Sequence, residues 1–523
     1  MIETVAWGCL PFLAGNRLFM DTIAGDATAR SFYSYGPTDY AAALQARRGY
    51  PYPREGAAEL LAAYNRRLGA SPQTLAQIEA LRQPDTYAVV GGQQAGLLGG
   101  PVYAAYKILA TIRLARKLSD DLGVRVVPIY WLASEDHDFG EINHAQYARA
   151  DGEIGRVSFD WRDKGRPVSD LPVTEQVRQA LDEYWQAGAH EPHAQEAQQL
   201  FAPQTERYCD WLSALWLRLF AEDGLILVEP HVLRPLAGEL FRAMVQQHAG
   251  IQERIQAVAA RLQGAGYTPL LSPESAGLLY TFDDRGRRVR IEESEATARD
   301  AARHPERYST DAALRPLFAD AVLPTLASTL GAGEIAYQGM LLPLYELFGV
   351  PQPVLFPRKS YTIVSAAERQ RLDAYGLTPL QMFSQELVWD EILRSRMSPA
   401  DLARFEKARA QVQAALEPLR PYLEELDPNM GRTWEQALNT ALRNIDKLEE
   451  RATNAALGRA GYSRRELQTL RNILLPRGRL QERELPLSHF IARHGPGFLA
   501  ALREAGELEH FGHDIVTLEG EHA

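Results

Sequence analysis

The sequence contains very little cysteine, and its two cysteines are far apart. Cys9 and Cys209 are the only ones among 523 residues. A disulfide framework or a zinc knuckle needs several cysteines at close spacing, so the sequence excludes both. A reducing compartment suits such a chain, and we expect the protein to be cytoplasmic.

Long apolar runs and an excess of positive charge are also missing. The longest apolar run, residues 126–133, has eight residues, whereas a membrane-spanning helix needs about twenty. The N-terminus carries Glu3 where a secretory signal needs basic residues, so we expect no export. The formal net charge of −11 argues against a protein that mainly binds nucleic-acid phosphates. We therefore predict neither a membrane nor a nucleic-acid partner.

What the sequence does contain is the pattern of a large α/β protein. Hydrophobic residues make up 46% and charged residues 24%, which is a globular composition. Over residues 87–133 a short β-branched run is followed by a glycine-rich loop, an amphipathic helix and a second apolar run, which predicts a βαβ unit with parallel strands. Further strands are predicted at residues 225–228 and 354–356, with helices from about residue 235 and over residues 335–348.

The predicted fold class is α/β, with a doubly wound parallel sheet in residues 1–375. Two polar, turn-rich stretches, at about 150–210 and 250–320, are predicted to be segments inserted into that sheet, the second with a hairpin. An α-helical antiparallel coiled coil is predicted over residues 376–470. A C-terminal helical segment, residues 471–523, is expected to pack back on the core. In such sheets ligands bind at the carboxyl ends of the strands.

The coiled-coil prediction depends on two apolar seams. Apolar residues alternate at steps of three and four over residues 405–426 and again over residues 434–455. A turn-forming stretch at residues 427–431 separates the seams, and Pro418 and Pro421 are expected to kink the first arm. Two ordinary amphipathic helices packed on a globular core are the alternative.

A glycine-rich loop follows the first predicted strand. It reads Gly91-Gly92-Gln93-Gln94-Ala95-Gly96-Leu97-Leu98-Gly99-Gly100-Pro101 and precedes the predicted helix. Backbone amides and the positive end of a helix bind anions at such a place. The predicted nucleotide- or phosphate-binding residues here are Gly92, Gln93, Gln94, Gly96 and Gly99. The glycine spacing matches neither the Walker pattern nor the dinucleotide fingerprint, and a tight turn whose glycines supply positive φ is the alternative.

Acidic and imidazole side chains are concentrated after the second predicted strand. The candidate catalytic residues are Glu135, Asp136, His137, Asp138 and His144. Histidine suits a general base near neutral pH, and the carboxylates suit the positioning of an amine. If the segment were helical, His137, Glu141 and His144 would share one face and could bind a metal ion. A helix start capped by these side chains is the structural alternative.

Two later motifs add candidate ligand-binding groups. Glu334 and Tyr337, at a predicted helix start after two glycines, are predicted to bind substrate. Arg358 and Ser360 follow a predicted strand and are predicted to bind phosphate, since a guanidinium offers a planar pair of donors. A solvated surface turn is the alternative for the Arg358 segment.

Several motifs together carry a resemblance to a known family. They are Gly92-Gln93-Gln94-Ala95-Gly96-Leu97, Trp131-Leu132-Ala133-Ser134-Glu135-Asp136-His137-Asp138, Gly333-Glu334-Ile335-Ala336-Tyr337, Pro357-Arg358-Lys359-Ser360 and Leu480-Gln481-Glu482-Arg483. In this order, over essentially the whole chain, they resemble the BshC family, the cysteine ligase of bacillithiol biosynthesis. The resemblance implies a Rossmann-like core with inserted connecting segments and a coiled coil that supports a homodimer.

The resemblance also implies an activity. The expected ligase joins the carboxyl group of L-cysteine to the amine of glucosaminyl malate, with ATP activating the carboxyl as an adenylate or an acyl phosphate. On this hypothesis the glycine-rich loop and Arg358 hold phosphate charge, while His137 and its neighbours position the amine or accept its proton. No firmly bound cofactor or metal ion is predicted. Two other classes stay open, a metal-dependent hydrolase using His137, Glu141 and His144, and a non-catalytic nucleotide-binding assembly factor.

Overall fold

The computed structural model describes residues 1–10, 15–135, 139–149, 152–163, 165–272, 276–384 and 389–518. Three predicted catalytic residues, Asp136, His137 and Asp138, lie outside the described residues. The chain divides into two units, a larger one formed by Met1–Ser365 with Pro476–Ala523 and a smaller one formed by Ala366–Leu475.

The strands of the described residues lie in the larger unit and form four sheets. Their bounds are β1 Ile2–Val5, β2 Thr86–Gln93, β3 Arg125–Leu132, β4 His144–Ala148, β5 Ile154–Ser158, β6 Ile226–Val228, β7 Leu279–Phe282, β8 Arg288–Arg290, β9 Ser309–Thr310, β10 Thr325–Leu330, β11 Val354–Pro357, β12 Ser360–Ser365 and β13 His513–Leu518.

The main sheet is parallel and has the order β11-β10-β2-β3-β6. The chain runs outward from β2 through β3 to β6 and then returns to the other side of β2 at β10. This is the order of a Rossmann fold, and it creates a switch point between β2 and β10, where a crevice opens at the carboxyl ends of the strands. The predicted doubly wound parallel sheet is confirmed.

The helix Tyr103–Leu122 connects β2 to β3 and covers one face of the sheet. Its apolar side chains recur at steps of three and four and are buried, so this face of the helix packs in the core. It ends at Gly123, whose φ of 62° suits glycine because a Cβ would be strained there. The strand before it is longer than predicted, because β2 continues through Gly91 and Gly92 to Gln93.

The larger unit contains many further helices. Those of seven or more residues are Arg17–Ala24, Tyr40–Arg47, Arg54–Arg67, Pro72–Ala80, Glu175–Ala187, Ala194–Phe201, Tyr208–Leu219, Gly238–Gln246, His248–Gly264, Glu295–Arg303, Leu314–Val322, Ala332–Gln338, Leu342–Phe348 and Leu487–His494. The shorter ones are Ala27–Arg30, Phe139–Ile142, Pro230–Leu233, Gln481–Glu484 and Phe498–Arg503. The single helix predicted over residues 335–348 is thus two helices. Pro343 lies in the first turn of the second, where its missing N–H costs least.

Three small sheets accompany the main one. The strands β4 and β5 form an antiparallel pair, and β7 pairs with β8 in the predicted hairpin and with β9 on its other side. In the third sheet, β13 lies between β1 and β12. The prediction of a wholly helical C-terminal segment is therefore wrong at residues 513–518. A single short apolar run gives too weak a signal to distinguish a strand from a helix end.

The smaller unit is helical. Its helices are Ala366–Ala374, Trp389–Arg394, Pro399–Leu416, Leu419–Leu426, Met430–Arg459 and Arg464–Leu474. The long arms run antiparallel, since the Trp434 indole donates to the Leu416 carbonyl at 2.8 Å and Arg409 Nη1 donates to Glu449 Oε2 at 2.7 Å. The first arm breaks at Pro418, as predicted. Among the helices of the described residues, none is both long and apolar enough to cross a bilayer.

Candidate functional site

Three cavities lie at the carboxyl ends of the parallel strands. The switch-point cavity, about 370 Å³, is lined by residues that include Gly92, Gln93, Gln94, Trp131, Glu141, Asp320, Glu334, Tyr337 and Gln338. The loop cavity, about 280 Å³, is lined by Gln93, Gln94, Gly96, Gly100, Pro101, Tyr103, Glu141, His144, Arg479 and Arg483, among others. The arginine cavity, about 360 Å³, has Gly331, Pro357, Arg358, Ser360, Arg479, Glu482 and Arg483 in its lining.

These cavities share walls. Gln93, Gln94 and Glu141 line both the switch-point cavity and the loop cavity. Arg479 and Arg483 line both the loop cavity and the arginine cavity. The three cavities are therefore adjacent compartments of one crevice, which is the arrangement that a reaction between two or three substrates requires.

A buried ion pair crosses the switch point. Lys107, on the helix after β2, is 1% exposed, and its ammonium donates to both carboxylate oxygens of Glu334 at 2.7 and 2.9 Å. The same ammonium donates to the Gly92 carbonyl at 2.7 Å and to Gln93 Oε1 at 3.0 Å. Burial lowers the pKa of Lys107, and the Glu334 carboxylate opposes that shift. Lys107 thus joins the end of β2 to the helix after β10.

Glu334 is fixed from a second side. Its Oε2 also accepts from the backbone N–H of Gly331 at 2.6 Å, which caps the helix Ala332–Gln338. Its side chain remains 31% exposed and lines the switch-point cavity. The carboxylate is therefore held from two sides and is still accessible from the cavity, and its role in substrate binding stays a prediction. Tyr337, one turn later, lines the same cavity.

Tyr103 lines the loop cavity. Its hydroxyl accepts a hydrogen bond from Gln93 Nε2 at 3.0 Å. The guanidinium carbons of Arg358 and Arg483 are 5.1 and 5.7 Å from its ring centroid, within the range of cation–π attraction. Burial, with a smaller contribution from Glu334, raises the pKa of Tyr103 to about 12. The phenol is therefore neutral at physiological pH and orients Gln93.

Arg358 is buried and already paired. Its guanidinium donates to Glu482 at 2.6 and 3.1 Å in a bidentate arrangement. Burial acts to lower the pKa of Arg358, but the Glu482 carboxylate outweighs it and raises that pKa. The pair has no net charge to offer an anion, although Arg358 does line the arginine cavity. Its predicted role in phosphate binding stays a prediction.

Ser360 lies beside a buried histidine. Its hydroxyl is 2.8 Å from His513 Nδ1, and the other ring nitrogen, Nε2, is 2.9 Å from the Thr362 hydroxyl. Burial lowers the pKa of His513 to about 4. The imidazole is neutral at physiological pH and joins β12 to β13, and Ser360 lines the arginine cavity with one face.

Arg483 differs from Arg358 in having no carboxylate partner among the residues that the structure describes. It is exposed and lines both the loop cavity and the arginine cavity. Arg479, which lines the same two cavities, is paired with Glu484 at 3.0 Å. The N-terminus of the helix Tyr103–Leu122 also borders the loop cavity. The charged side chains in the described lining of this cavity are therefore Arg479, Arg483 and the carboxylate of Glu141.

The glycine-rich loop is shaped by close backbone approach. A Cβ at Gly96 would lie 2.5 Å from the Gly100 Cα, and one at Gly92 would lie 2.8 Å from the Trp131 carbonyl oxygen. Positive φ is required at Gly99 and Gly100, with values of 85° and 66°, but Gly96 has a φ of −70°. Glycine is therefore required at position 96 by the close contact with Gly100, and not by the backbone φ. Gly99 packs against an indole ring and lines none of the three cavities.

The predicted catalytic cluster is only partly described. Glu135 is buried, its Oε1 accepts from Arg234 Nε at 2.6 Å, and it lines none of the three cavities, so its catalytic role stays a prediction. His144 lines the loop cavity, and burial lowers its pKa. Glu141 and His144 do not share a helical face, because the helix ends at Ile142 and His144 begins β4, and His137 lies outside the described residues. No cluster of three or more metal-ligating side chains occurs within the described ranges.

Sequence reasoning missed several residues in and around the crevice, among them Lys107, Glu482 and Arg483. The pairing of Lys107 with a carboxylate could have been predicted, since a lysine on the buried face of an amphipathic helix needs a partner. Glu482 and Arg483 belong to a motif that supports the family resemblance. Their local sequence does not show that Glu482 pairs with Arg358, or that Arg483 has no carboxylate partner among the described residues.

The comparisons with known proteins identify the family of the chain. Residues 5–359 match the family described as "Bacillithiol biosynthesis BshC, N-terminal Rossmann-like domain", and residues 361–518 match "Bacillithiol biosynthesis BshC, C-terminal coiled-coil domain". The chain belongs to the BshC family. The predicted family, the Rossmann-like core and the coiled coil are thereby confirmed.

Relatives are similar over nearly their whole length. The BshC protein of Geobacillus thermodenitrificans is 32% identical, with 97% of this chain and 99% of the relative covered. That of Geobacillus kaustophilus is also 32% identical, with coverages of 96% and 98%, and that of Salinibacter ruber is 29% identical, with coverages of 95% and 96%. Each of the three carries the name "Putative cysteine ligase BshC".

Proposed function

We propose that this BshC protein is a cytoplasmic cysteine ligase that forms an amide between the carboxyl group of L-cysteine and the amine of glucosaminyl malate. The observation that carries the proposal is the crevice of three adjacent cavities at the Rossmann switch point, in a chain that belongs to the BshC family. A ligase with three substrates needs compartments that differ in charge and share walls. The names of the relatives support the same reaction class.

The first chemical step is activation of the carboxylate by ATP. The cysteine carboxylate attacks either the α-phosphorus, which forms an acyl adenylate and releases pyrophosphate, or the γ-phosphorus, which forms an acyl phosphate and releases ADP. The loop cavity suits the phosphates, since Arg483 and the N-terminus of the helix Tyr103–Leu122 border it. Gly96 and Gly100 approach each other closely, which fixes the shape of the loop that borders this cavity.

The second step is attack of the amine on the activated carbonyl carbon. The new C–N bond forms, AMP or phosphate leaves, and the amine nitrogen loses a proton. A base must accept that proton, and His137 with Asp136 and Asp138 remains our hypothesis for this role. Glu334 and Tyr337 line the cavity in which the amine would be held.

The experiment is amide synthesis by the purified protein. L-cysteine, glucosaminyl malate and ATP are incubated under thiol protection, and the condensed product, pyrophosphate and ADP are measured separately. The proposal expects product only when ATP is present, and His137→Ala should lower turnover about 10²- to 10⁴-fold. His304→Ala, at a half-buried site that lines none of the three cavities, is the control. Absence of any ATP-dependent product would refute the proposed function.

We also propose that the smaller unit mediates a homodimer. Its two arms expose large apolar side chains, with Leu419 47%, Tyr422 59%, Leu426 63% and Leu448 61% exposed. A second copy that covered this surface would remove it from water. Light scattering should give a dimer at micromolar concentration, and Leu426→Glu combined with Leu448→Glu should give a monomer. A wild-type monomer at that concentration would contradict the proposal.

A further inference from the structure

Lys107 is a buried cation whose hydrogen bonds all go to groups at the lining of the crevice. Its side chain is 1% exposed and lines none of the three cavities. The ammonium has three hydrogens, and three groups accept them: the Gly92 carbonyl at 2.7 Å, Gln93 Oε1 at 3.0 Å and the Glu334 carboxylate at 2.7 Å. No hydrogen is left for a substrate. Lys107 can therefore influence a reaction only through the groups that it holds.

The ammonium fixes the orientation of the Gln93 amide. Oε1 of Gln93 accepts from Lys107, and Nε2 donates to the Tyr103 hydroxyl at 3.0 Å. A flipped amide would place its NH2 group against the ammonium, a contact between two donors, and would lose the bond to Lys107. The amide therefore has one favoured orientation before any ligand binds.

One amide hydrogen of Gln93 is still available. Nε2 carries two hydrogens, the Tyr103 hydroxyl accepts one, and the other has no acceptor among the residues that the structure describes. Gln93 is half-buried and lines both the switch-point cavity and the loop cavity. Glu141 lines the same two cavities, but an ionised carboxylate can only accept. Gln93 thus supplies an oriented donor where the two cavities meet.

The amide bond of the proposed reaction forms at the same place. The loop cavity suits the phosphates and the switch-point cavity the amine, so the activated carboxyl lies between them. When the amine nitrogen attacks the acyl carbon, the electron pair of the C=O bond moves to the oxygen, which becomes an oxyanion. The pair then re-forms the C=O bond, AMP or phosphate leaves with the electrons of the broken C–O bond, and the base takes the amine proton. A donor that is already oriented stabilises the oxyanion.

We propose that Gln93 is a catalytic residue whose available amide N–H donates to the acyl oxygen as it becomes an oxyanion, and that Lys107 is the positioning residue that orients this amide. The inference rests on the proposed function and adds the group that stabilises the intermediate of its second step. It differs measurably from phosphate binding, the role that the sequence predicts for Gln93. A donor to the oxyanion acts in the transition state and changes kcat, whereas a ligand of the phosphates that acts equally in the ground state changes the KM of ATP.

The test measures kcat and the three KM values of the full-length protein with L-cysteine, glucosaminyl malate and ATP. Gln93→Met removes the amide. Gln93→Glu keeps the length and the acceptor for Lys107 but replaces the NH2 group by a second oxygen. Gln252→Met and Gln252→Glu are matched controls, because Gln252 is also half-buried and also donates one amide hydrogen, to the Ala276 carbonyl at 2.8 Å. It lines none of the three cavities.

Gln93→Met should lower kcat about 10²- to 10³-fold, the usual effect of removing one oxyanion donor. Each KM should stay within about threefold. Gln93→Glu should lower kcat at least as much, although its carboxylate can pair with Lys107 and should preserve the melting temperature. This variant separates catalysis from structure, because a glutamine that served only the fold would tolerate the charged isostere. Both controls should leave kcat within about threefold of the wild type.

The role of Lys107 is tested through the same N–H. Lys107→Met should lower kcat about ten- to hundredfold, because the amide is no longer held in one orientation. In the Gln93→Met background the same substitution should lower kcat by less than about threefold further, since the N–H that it orients is already absent. Because Lys107 also holds Glu334, the comparison uses kcat at saturating glucosaminyl malate.

Three outcomes would overturn the inference. Wild-type kcat in Gln93→Glu would show that no donor is needed at this position. A raised KM of ATP with unchanged kcat in Gln93→Met would assign Gln93 to the phosphates. Losses in kcat that multiply in the double variant would show that Lys107 does not act through Gln93. In each case the wild-type protein still forms product, so failure of this inference is distinguishable from failure of the proposed function.

Discussion

The pair formed by Lys107 and Glu334 should show strong and asymmetric energetic coupling. Lys107 is 1% exposed, whereas the Glu334 side chain is 31% exposed. Glu334→Gln leaves a buried ammonium without its counter-charge, and this should lower the free energy of unfolding by about 3–5 kcal/mol. Lys107→Met leaves a carboxylate that water can reach, together with two unpaired acceptors, the Gly92 carbonyl and Gln93 Oε1. We expect that variant to lose only about 2–3 kcal/mol.

The double variant distinguishes a direct pair from two independent losses. With both charges removed, no buried charge is left uncompensated, so the loss should be smaller than the sum of the single losses by about 1–3 kcal/mol. Lys117→Met is the control, because Lys117 forms an exposed pair with Asp121 one turn away on the same helix. That substitution should change the free energy of unfolding by less than about 0.5 kcal/mol.

Urea unfolding followed by tryptophan fluorescence measures these values. Six of the eight tryptophans lie in the larger unit and two, Trp389 and Trp434, in the smaller one, so the signal reports mainly on the unit that contains the pair. The reasoning would be refuted if the two single losses simply added, or if Lys107→Met cost more than Glu334→Gln. Either result would mean that the ammonium does not depend on this carboxylate.

Three further predictions concern the crevice and its support. Gly96→Ala places a Cβ 2.5 Å from the Gly100 Cα, so ATP affinity should fall about tenfold with an unchanged circular dichroism spectrum; retained affinity would mean that the loop is only a turn. Arg483→Gln should raise the KM of ATP about tenfold or more, and Arg477→Gln, at an exposed site outside the three cavities, should not; equal effects would contradict an anion site at Arg483. Burial lowers the pKa of His513 from 6.5 to about 4, so its contribution to stability is present above pH 6.5 and is lost as the pH falls towards 4. The loss should be about 3 kcal/mol. Urea midpoints at pH 7 and pH 4 should differ more for the wild type than for His513→Gln, and equal differences would contradict the burial argument.

Local pattern was sufficient for the elements of the fold. The β-branched runs before and after an amphipathic helix predict β2, β3 and the helix Tyr103–Leu122, because hydrophobic periodicity depends on neighbours within a few residues. The seams at steps of three and four likewise predict the antiparallel arms of the smaller unit, and proline at position 418 predicts the break between them. The glycine-rich loop and the motif around Glu334 could be located for the same reason.

Strand order and charge pairing needed the tertiary structure. Which strand lies next to β2 depends on pairing with β10, more than 200 residues later, and no local pattern encodes that choice. The same holds for Lys107, whose partner Glu334 is 227 residues away, and for Arg358, whose partner Glu482 is 124 residues away.

Local sequence patterns therefore show which chemical groups the chain carries, whereas the fold sets which of these groups a ligand can reach. Arg358 has the residue type and position of an anion ligand, but Glu482 neutralises its charge. Arg483, which follows Glu482 in the chain, has no carboxylate partner among the described residues and lines the cavities. Electrostatic pairing and hydrogen-bond satisfaction are properties of distances in space, and only the folded chain fixes those distances.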